Sequence, residues 1–228
     1  MAKIKLAAIV DDMRNKVGNV VFSTGRGGNY IRRRVIPSNP KTTYQTAVRA
    51  NLTSLAEGWA SLTDGQRTQW NAAVSSWLKS DIFGAKRKPS GLNLYVGLNL
   101  NLLEAGQATI STPPLRSAVP ALTSLVAAQV HAGATTLTFA ATPVVAGNTL
   151  IVRATTALSA GRSFVKSQYR KVTAIAAGQT SPQTITTAYN AKFGGPGSAG
   201  QKVFFDCFYV NNTTGEAGGH VSAIAVVS

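Results

Sequence analysis

The spacing of apolar residues changes twice along the chain, and each change marks a boundary. Over residues 3–35, short β-branched or aromatic runs at 17–22 and 30–36 are divided by Gly and Asn clusters. Runs of this kind between turn residues predict strands and tight turns, hence an extended or hairpin arm over residues 1–40. Pro37 and Pro40 end it, because each lacks an amide donor and pushes the residue before it toward extended geometry.

From residue 41 the spacing lengthens. Tyr44, Val48, Leu52, Leu55, Trp59 and Leu62 recur every three or four residues, which is one stripe of an amphipathic helix. Thr63-Asp64-Gly65-Gln66 has the form of a capping box, and the helix it opens carries Trp70, Ala73, Val74, Trp77 and Leu78 on one face. Joined by so short a turn, these helices are expected to pack as an antiparallel hairpin. Trp59, Trp70 and Trp77 would fill its core, the preferred alternative to an exposed docking face. Residues 90–106 suit either a strand, from the alternation of Leu98, Leu100 and Leu102, or a helix through Leu92, Tyr95, Val96, Asn99 and Leu103. Ser90 as a cap and Gly106 as a stop favour the helix, so the helical region is set at 41–110.

Residues 111–121, with Pro113, Pro114 and Pro120, read as a Pro-rich linker. Beyond it the period shortens again. Runs at 122–130, 135–140, 149–155, 169–174, 202–210 and 221–227 read as strands, and 184–193 as a further strand or a short helical crossover. That count over 122–228 predicts an immunoglobulin-like or fibronectin-like β-sandwich, though the Cys and Trp pattern of an antibody domain is absent. The fold class expected is therefore α+β, with a β-arm and a helical hairpin followed by an all-β sandwich.

Charge narrows the partners. The 228 residues include 23 Lys and Arg against 8 Asp and Glu, a net +15. Residues 1–50 hold ten basic and two acidic side chains, so the surplus is densest in the arm. Charged residues make up only 14%, against roughly 25% in typical globular proteins, which makes the surface poor in acid rather than crowded with base. The single Cys207 excludes an internal disulfide framework, and two histidines cannot complete a Cys/His zinc site unaided. No apolar run approaches a membrane span, and residues 1–10 lack a secretory pattern. A protein made in a cytoplasm, without membrane insertion, is expected.

The strongest local signal is the stretch from Arg26 to Arg34. Its glycines allow close backbone approach, Tyr30 offers a stacking face, and Arg32, Arg33 and Arg34 supply forked donors. In a strand, Arg32 and Arg34 would share one face and Arg33 the other. Three readings fit: arginines meeting acidic patches on a neighbouring subunit, which is favoured; direct nucleic-acid contact; and a solvated face. Arg14, Lys16, Arg26, Tyr30, Arg32, Arg33 and Arg34 are the candidate contacts, with Lys86, Arg87 and Lys88 as a second basic cluster. The glycines at 25, 27 and 28 lack the spacing of a phosphate loop, so no nucleotide and no other cofactor is expected. Asp11-Asp12 is an adjacent carboxylate pair with no further ligand near it in sequence. His131 and His220 fall at strand edges, Cys207 has the surroundings of a buried thiol, and no nucleophile elbow appears. Neither a catalytic nor a metal site is expected.

The segments beginning Lys16-Val17-Gly18-Asn19 and Arg26-Gly27-Gly28-Asn29, then 37–42 with Gln45 and Arg49, and Trp59 through Asn71 resemble a little-characterised family of basic proteins encoded by tailed bacteriophages and prophages. The resemblance covers roughly residues 8–110. It implies a virion structural or accessory role in head, neck or tail. The partners implied are copies of the chain and other virion proteins, with non-specific nucleic-acid contact possible. A DNA-binding or genome-packaging protein, and an adhesin using the sandwich at a host surface, are the alternatives.

Overall fold

A computed structural model describes residues 2–3, 12–25, 28–36, 39–80 and 86–228. Among them are four α-helices and several antiparallel sheets, a mixed α+β chain. It divides into two compact units, Met1–Thr46 and Ala47–Ser228.

The first unit is one antiparallel sheet of β1 (Ala2–Lys3), β2 (Asn15–Val17), β3 (Val20–Gly25) and β4 (Gly28–Arg33), in the order β1-β4-β3-β2. The two-residue turn Gly18-Asn19 sets Val17 opposite Val20, and this fixes the register of β2 against β3. Lys16, Val21 and Arg32 form one cross-strand row, and Asn15, Phe22 and Ile31 the next. Residues directly opposite share a face. Val17, Val20, Phe22 and Ile31 therefore lie on one side, and Lys16, Val21, Tyr30 and Arg32 on the other. No described residue of this unit is buried. Among the described residues of this unit no second layer covers either face of the sheet.

Helix α1 (Thr43–Ser61) begins in the last residues of the first unit and is followed in the second by α2 (Asp64–Ala73), which tightens into a 3₁₀ turn at Val74–Ser76. The capping box forms as the sequence predicts: the Gln66 amide donates to Thr63 Oγ1 at 3.3 Å and the Thr63 amide to Gln66 Oε1 at 3.0 Å. Arg67 Nη2 donates to the Ala60 and Leu62 carbonyls, closing the end of α1. Helix α3 (Gly91–Glu104) is capped by Ser90 Oγ, which accepts from the Asn93 amide, and Gly106 follows at φ +75°, a left-handed stop.

The expected hairpin of the first two helices is replaced by a three-helix cluster. α2 packs along α3, and α1 adds Leu55, Trp59 and Leu62 to the shared apolar core. Val48 and Leu52, on the earlier turns of the same stripe, stay 46% and 51% exposed. The reason is the face of α3, where Leu94, Tyr95 and Leu98 receive Trp70 edge-on at 5.4 Å from Tyr95. The fully buried Asn99 extends this helix's hold. Its Nδ2 donates to the Tyr95 and Ile110 carbonyls and its Oδ1 accepts from the Ile110 amide at 2.7 Å, so the chain after α3 is pinned back along it. Two-residue strands β5 (Lys79–Ser80) and β6 (Lys86–Arg87) pair between α2 and α3.

The remaining strands are β7 (Ser124–Gln129), β8 (Thr135–Ala140), β9 (Asn148–Ala154), β10 (Arg170–Ile175), β11 (Gln183–Thr184), β12 (Lys202–Asn211) and β13 (Val221–Val226). The ambiguous 184–193 segment contains α4 (Thr186–Phe193). One sheet has the order β10-β9-β12-β13 and the other β11-β8-β7. Alternate residues from both sheets meet in one core: Leu137 and Phe139, Leu150 and Val152, and Val203, Phe205, Cys207 and Tyr209. Tyr189 of α4 is buried there too, its hydroxyl donating to the Thr155 carbonyl at 3.0 Å. The sheets also meet at an edge, where β7 and β13 are joined by a parallel bridge from Gln129 to Val227.

The opposite face of the four-stranded sheet is covered as well. Ile151, Phe208 and Val210 are buried with Ala105 in a second, smaller core under the end of α3. Gly215, at φ +69° in the β12–β13 connection, lies against the Leu98 carbonyl where any Cβ would collide. The helical region and the C-terminal strands therefore share one compact unit, Ala47–Ser228.

Candidate functional site

Several of the basic residues singled out in the sequence meet on the first unit's sheet. Lys16 and Arg32 stand in one row with Val21 between them, both exposed, and half-buried Tyr30 follows Arg32 on the same face. Arg33 lies on the opposite face with Val17 and Val20, as the period of two requires. Arg34 lies one residue past the last strand residue, and its amide donates to the Asn19 carbonyl at 2.8 Å, beside the Val20–Arg33 pair. Arg14 is paired with Asp12 at 2.6 Å. A hydrogen bond from Thr24, seconded by Arg14, holds the Asp12 carboxyl below the usual carboxylate range. Arg26, Asp11 and residues 37–38 and 81–85 lie outside the described residues. Lys86 and the Arg87 backbone belong to the strand pair with Lys79–Ser80, and Lys88 is exposed beyond it. Sequence reasoning missed the apolar face opposite Lys16 and Arg32, where Arg33 stands beside Val17 and Val20. The signal for it was present in Val17-Gly18-Asn19-Val20, a two-residue hairpin turn that sets which valines face together.

A second concentration of charge lines a cleft of about 490 Å³ bordered by Trp77, Asn101, Glu104, Arg116, Arg153 and Glu216. Here the ions are matched. Arg116 meets Glu216 at 2.5 Å and lies over the Trp77 ring, while Arg153 meets Glu104 at 2.7 Å and lies over Phe208. Lys171 Nζ donates to the Glu104 carbonyl at the end of α3, and burial lowers its pKa from the ordinary lysine value. Asn101 Nδ2 donates to the Gly215 carbonyl at 2.8 Å. These contacts join the helical region and its linker to the sheet, and Arg116 has all three guanidinium nitrogens engaged, with Nη1 donating to the Ser76 carbonyl. The cleft is an ion-pair clasp.

The histidines are hydrogen-bonded. His131 Nδ1 donates to the Gly197 carbonyl at 2.6 Å. His220 Nδ1 lies 2.9 Å from Asp206 Oδ2, with its ring stacked 4.2 Å from Phe208. An aspartate can orient an imidazole for proton transfer in this way, but no hydroxyl is hydrogen-bonded to this ring among the described residues. Cys207 is buried, and burial raises its thiol pKa, which keeps it protonated. Among the described residues no group of three or more His, Cys, Asp or Glu could hold a metal ion, and no helix is long and apolar enough to cross a membrane.

No family model matches the chain, and no curated protein matches it. Among solved structures it is similar to a β-1,2-glucanase from Parabacteroides distasonis, with 12% identity and a TM-score of 0.30 over 50% of this chain. The chain spans 14% of that enzyme's length, and a likeness of this size carries no argument about fold or activity.

Proposed function

We propose that the chain is a non-enzymatic structural or accessory protein of a tailed-bacteriophage particle, in its head, neck or tail, made in the host cytoplasm and working by assembly through its N-terminal sheet. The observation that carries this reading is the sheet's composition: Val17 and Val20 are 67% and 36% exposed, and the unit has no buried residue among those described. Such a sheet gains its burial from a partner. β2 is an edge strand, so strand addition there offers backbone hydrogen bonds as well. Partners are other virion proteins and further copies of the chain. The resemblance of residues 8–110 to basic phage proteins points the same way.

The C-terminal strands fit an immunoglobulin-like or fibronectin-like module. Its first, second and fifth strands (β7, β8, β11) form one sheet and its third, fourth, sixth and seventh (β9, β10, β12, β13) the other, the division used by fibronectin-type sandwiches. In the particle this module projects outward or packs on the next copy. The test is incorporation of Val17→Ser/Val20→Ser into particles purified after induction of the host, followed by mass spectrometry. The wild-type chain is expected in the particles and the variant reduced tenfold or more. Wild-type chain absent from particles, or a variant incorporated normally, overturns the reading.

A further inference from the structure

We infer that the first unit's sheet is an adaptor with two working faces, in which Lys16, Tyr30 and Arg32 bind single-stranded nucleic acid while the Val17 and Val20 face docks on protein. The protein-facing half rests on the assembly reading above. The nucleic-acid half stands on separate observations.

The first is pairing. Arg14, Arg67, Arg116 and Arg153 each meet a carboxylate of their own chain. Lys16, Arg32, Arg33 and Arg34 form no ion pair among the described residues, and all four are exposed. The second is supply. Of eight acidic residues, Asp12, Asp64, Glu104 and Glu216 already face arginines and Asp206 faces His220. A second copy of a chain with net +15 therefore has few carboxylates to offer, and a homotypic contact on this face would set cation against cation. The anionic partner must be another molecule.

The third observation is the aromatic. Tyr30 follows Arg32 on the basic face, about 7 Å along the strand, and Lys16 lies about 10 Å across two strand spacings. Two cations and a ring on one flat surface match a backbone whose bases are free to stack. A duplex hides its base faces in the stack and would leave the ring without a base to stack on. An acidic protein surface would use the cations and leave the ring idle, so Tyr30 separates the two partners.

The experiment uses the full chain and a fluorescein-labelled oligothymidylate of about 20 bases, followed by anisotropy between about 50 and 200 mM salt, with polyglutamate as competitor. Lys16→Ala/Arg32→Ala is expected to weaken binding at least tenfold at the lower salt and to reduce the slope of log affinity against log salt by about 1.4. Removing the same charge elsewhere, by Arg162→Ala/Lys166→Ala, is the control and should cost much less. Tyr30→Ala should weaken oligothymidylate about fivefold or more and leave polyglutamate binding unchanged. Val17→Ser/Val20→Ser should keep oligothymidylate affinity, so a failure of incorporation and a failure of nucleic-acid binding are told apart. Absent binding, or Lys16→Ala/Arg32→Ala matching the control, overturns the inference. Full displacement by polyglutamate with Tyr30→Ala binding like wild type also overturns it, in favour of an acidic protein partner.

Discussion

In the second unit, alternate residues of β12 send Val203, Phe205, Cys207 and Tyr209 into a core shared with the facing sheet, while Phe208 and Val210 on its other side are covered by the end of α3. In the first unit, β3 and β4 alternate in the same manner, yet Phe22 and Ile31 remain half-buried and Val20 exposed. Alternation thus decides which residues share a face, and a second layer decides whether that face contributes to stability. Charge follows the same division. The first unit holds nine basic and two acidic residues among its 46, a density that a unit with its own packed core would have less surface to carry.

The most direct way to break this comparison is hydrogen exchange. Amides of β12 should exchange only through global unfolding, protected by a thousandfold or far more, whereas those of β3 and β4 in a verified monomer should be close to unprotected. Comparable protection in the two would show that the first sheet is stabilised within its own chain. Next in size is Phe205→Ala. Removing a fully buried ring at the centre of β12 is expected to cost about 3–5 kcal/mol and to lower the melting temperature by roughly 10 °C in a circular-dichroism melt. A loss under about 1 kcal/mol would mean that the two sheets are not tightly packed there.

Titration sharpens the contrast further. Burial raises the Cys207 thiol, so above about pH 8.5 the unfolded chain loses a proton that the folded chain keeps. Stability should then fall by about 1.4 kcal/mol per pH unit until the folded thiol also ionises. Tyr189, pushed up to about 12 by burial, adds a second loss from about pH 10 upward. Urea unfolding of wild type and Cys207→Ala at pH 8 and pH 10 should show the slope only in wild type over the lower part of that range. The smallest effect is expected at Thr63→Ala, which removes one side of the capping box and should cost about 1 kcal/mol by the same urea measurement.

Local features of the fold were legible because their causes are local. Thr63 and Gln66, Ser90 and Gly106 mark helix ends through atoms within a few residues of one another. The strand runs after residue 122 were readable from turn residues and β-branched content, and α4 was ambiguous because a short apolar run fits either period. What covers each face was not legible. The stripe on α1 declares an apolar side without naming its partner, and the pairs Arg153–Glu104 and Arg116–Glu216 join residues 49 and 100 positions apart. In the arm, the opposite faces of Arg32 and Arg33 follow from alternation alone. The meeting of Lys16 with Arg32 depended on two registers, that of β2 against β3 set by the Gly18-Asn19 turn and that of β3 against β4.

The parallel bridge between β7 and β13 has a mechanical consequence. The Ser228 amide donates to the Gln129 carbonyl at 3.1 Å, and the His131 amide to the Ser228 carbonyl at 2.7 Å. In a parallel pair, tension applied at residue 120 and at residue 228 draws the two strands in opposite directions along their own axes. These bonds then share the load in shear, whereas a hairpin pulled from its open end yields one bond at a time. Force applied across the two sheets would meet this junction before it reached the core.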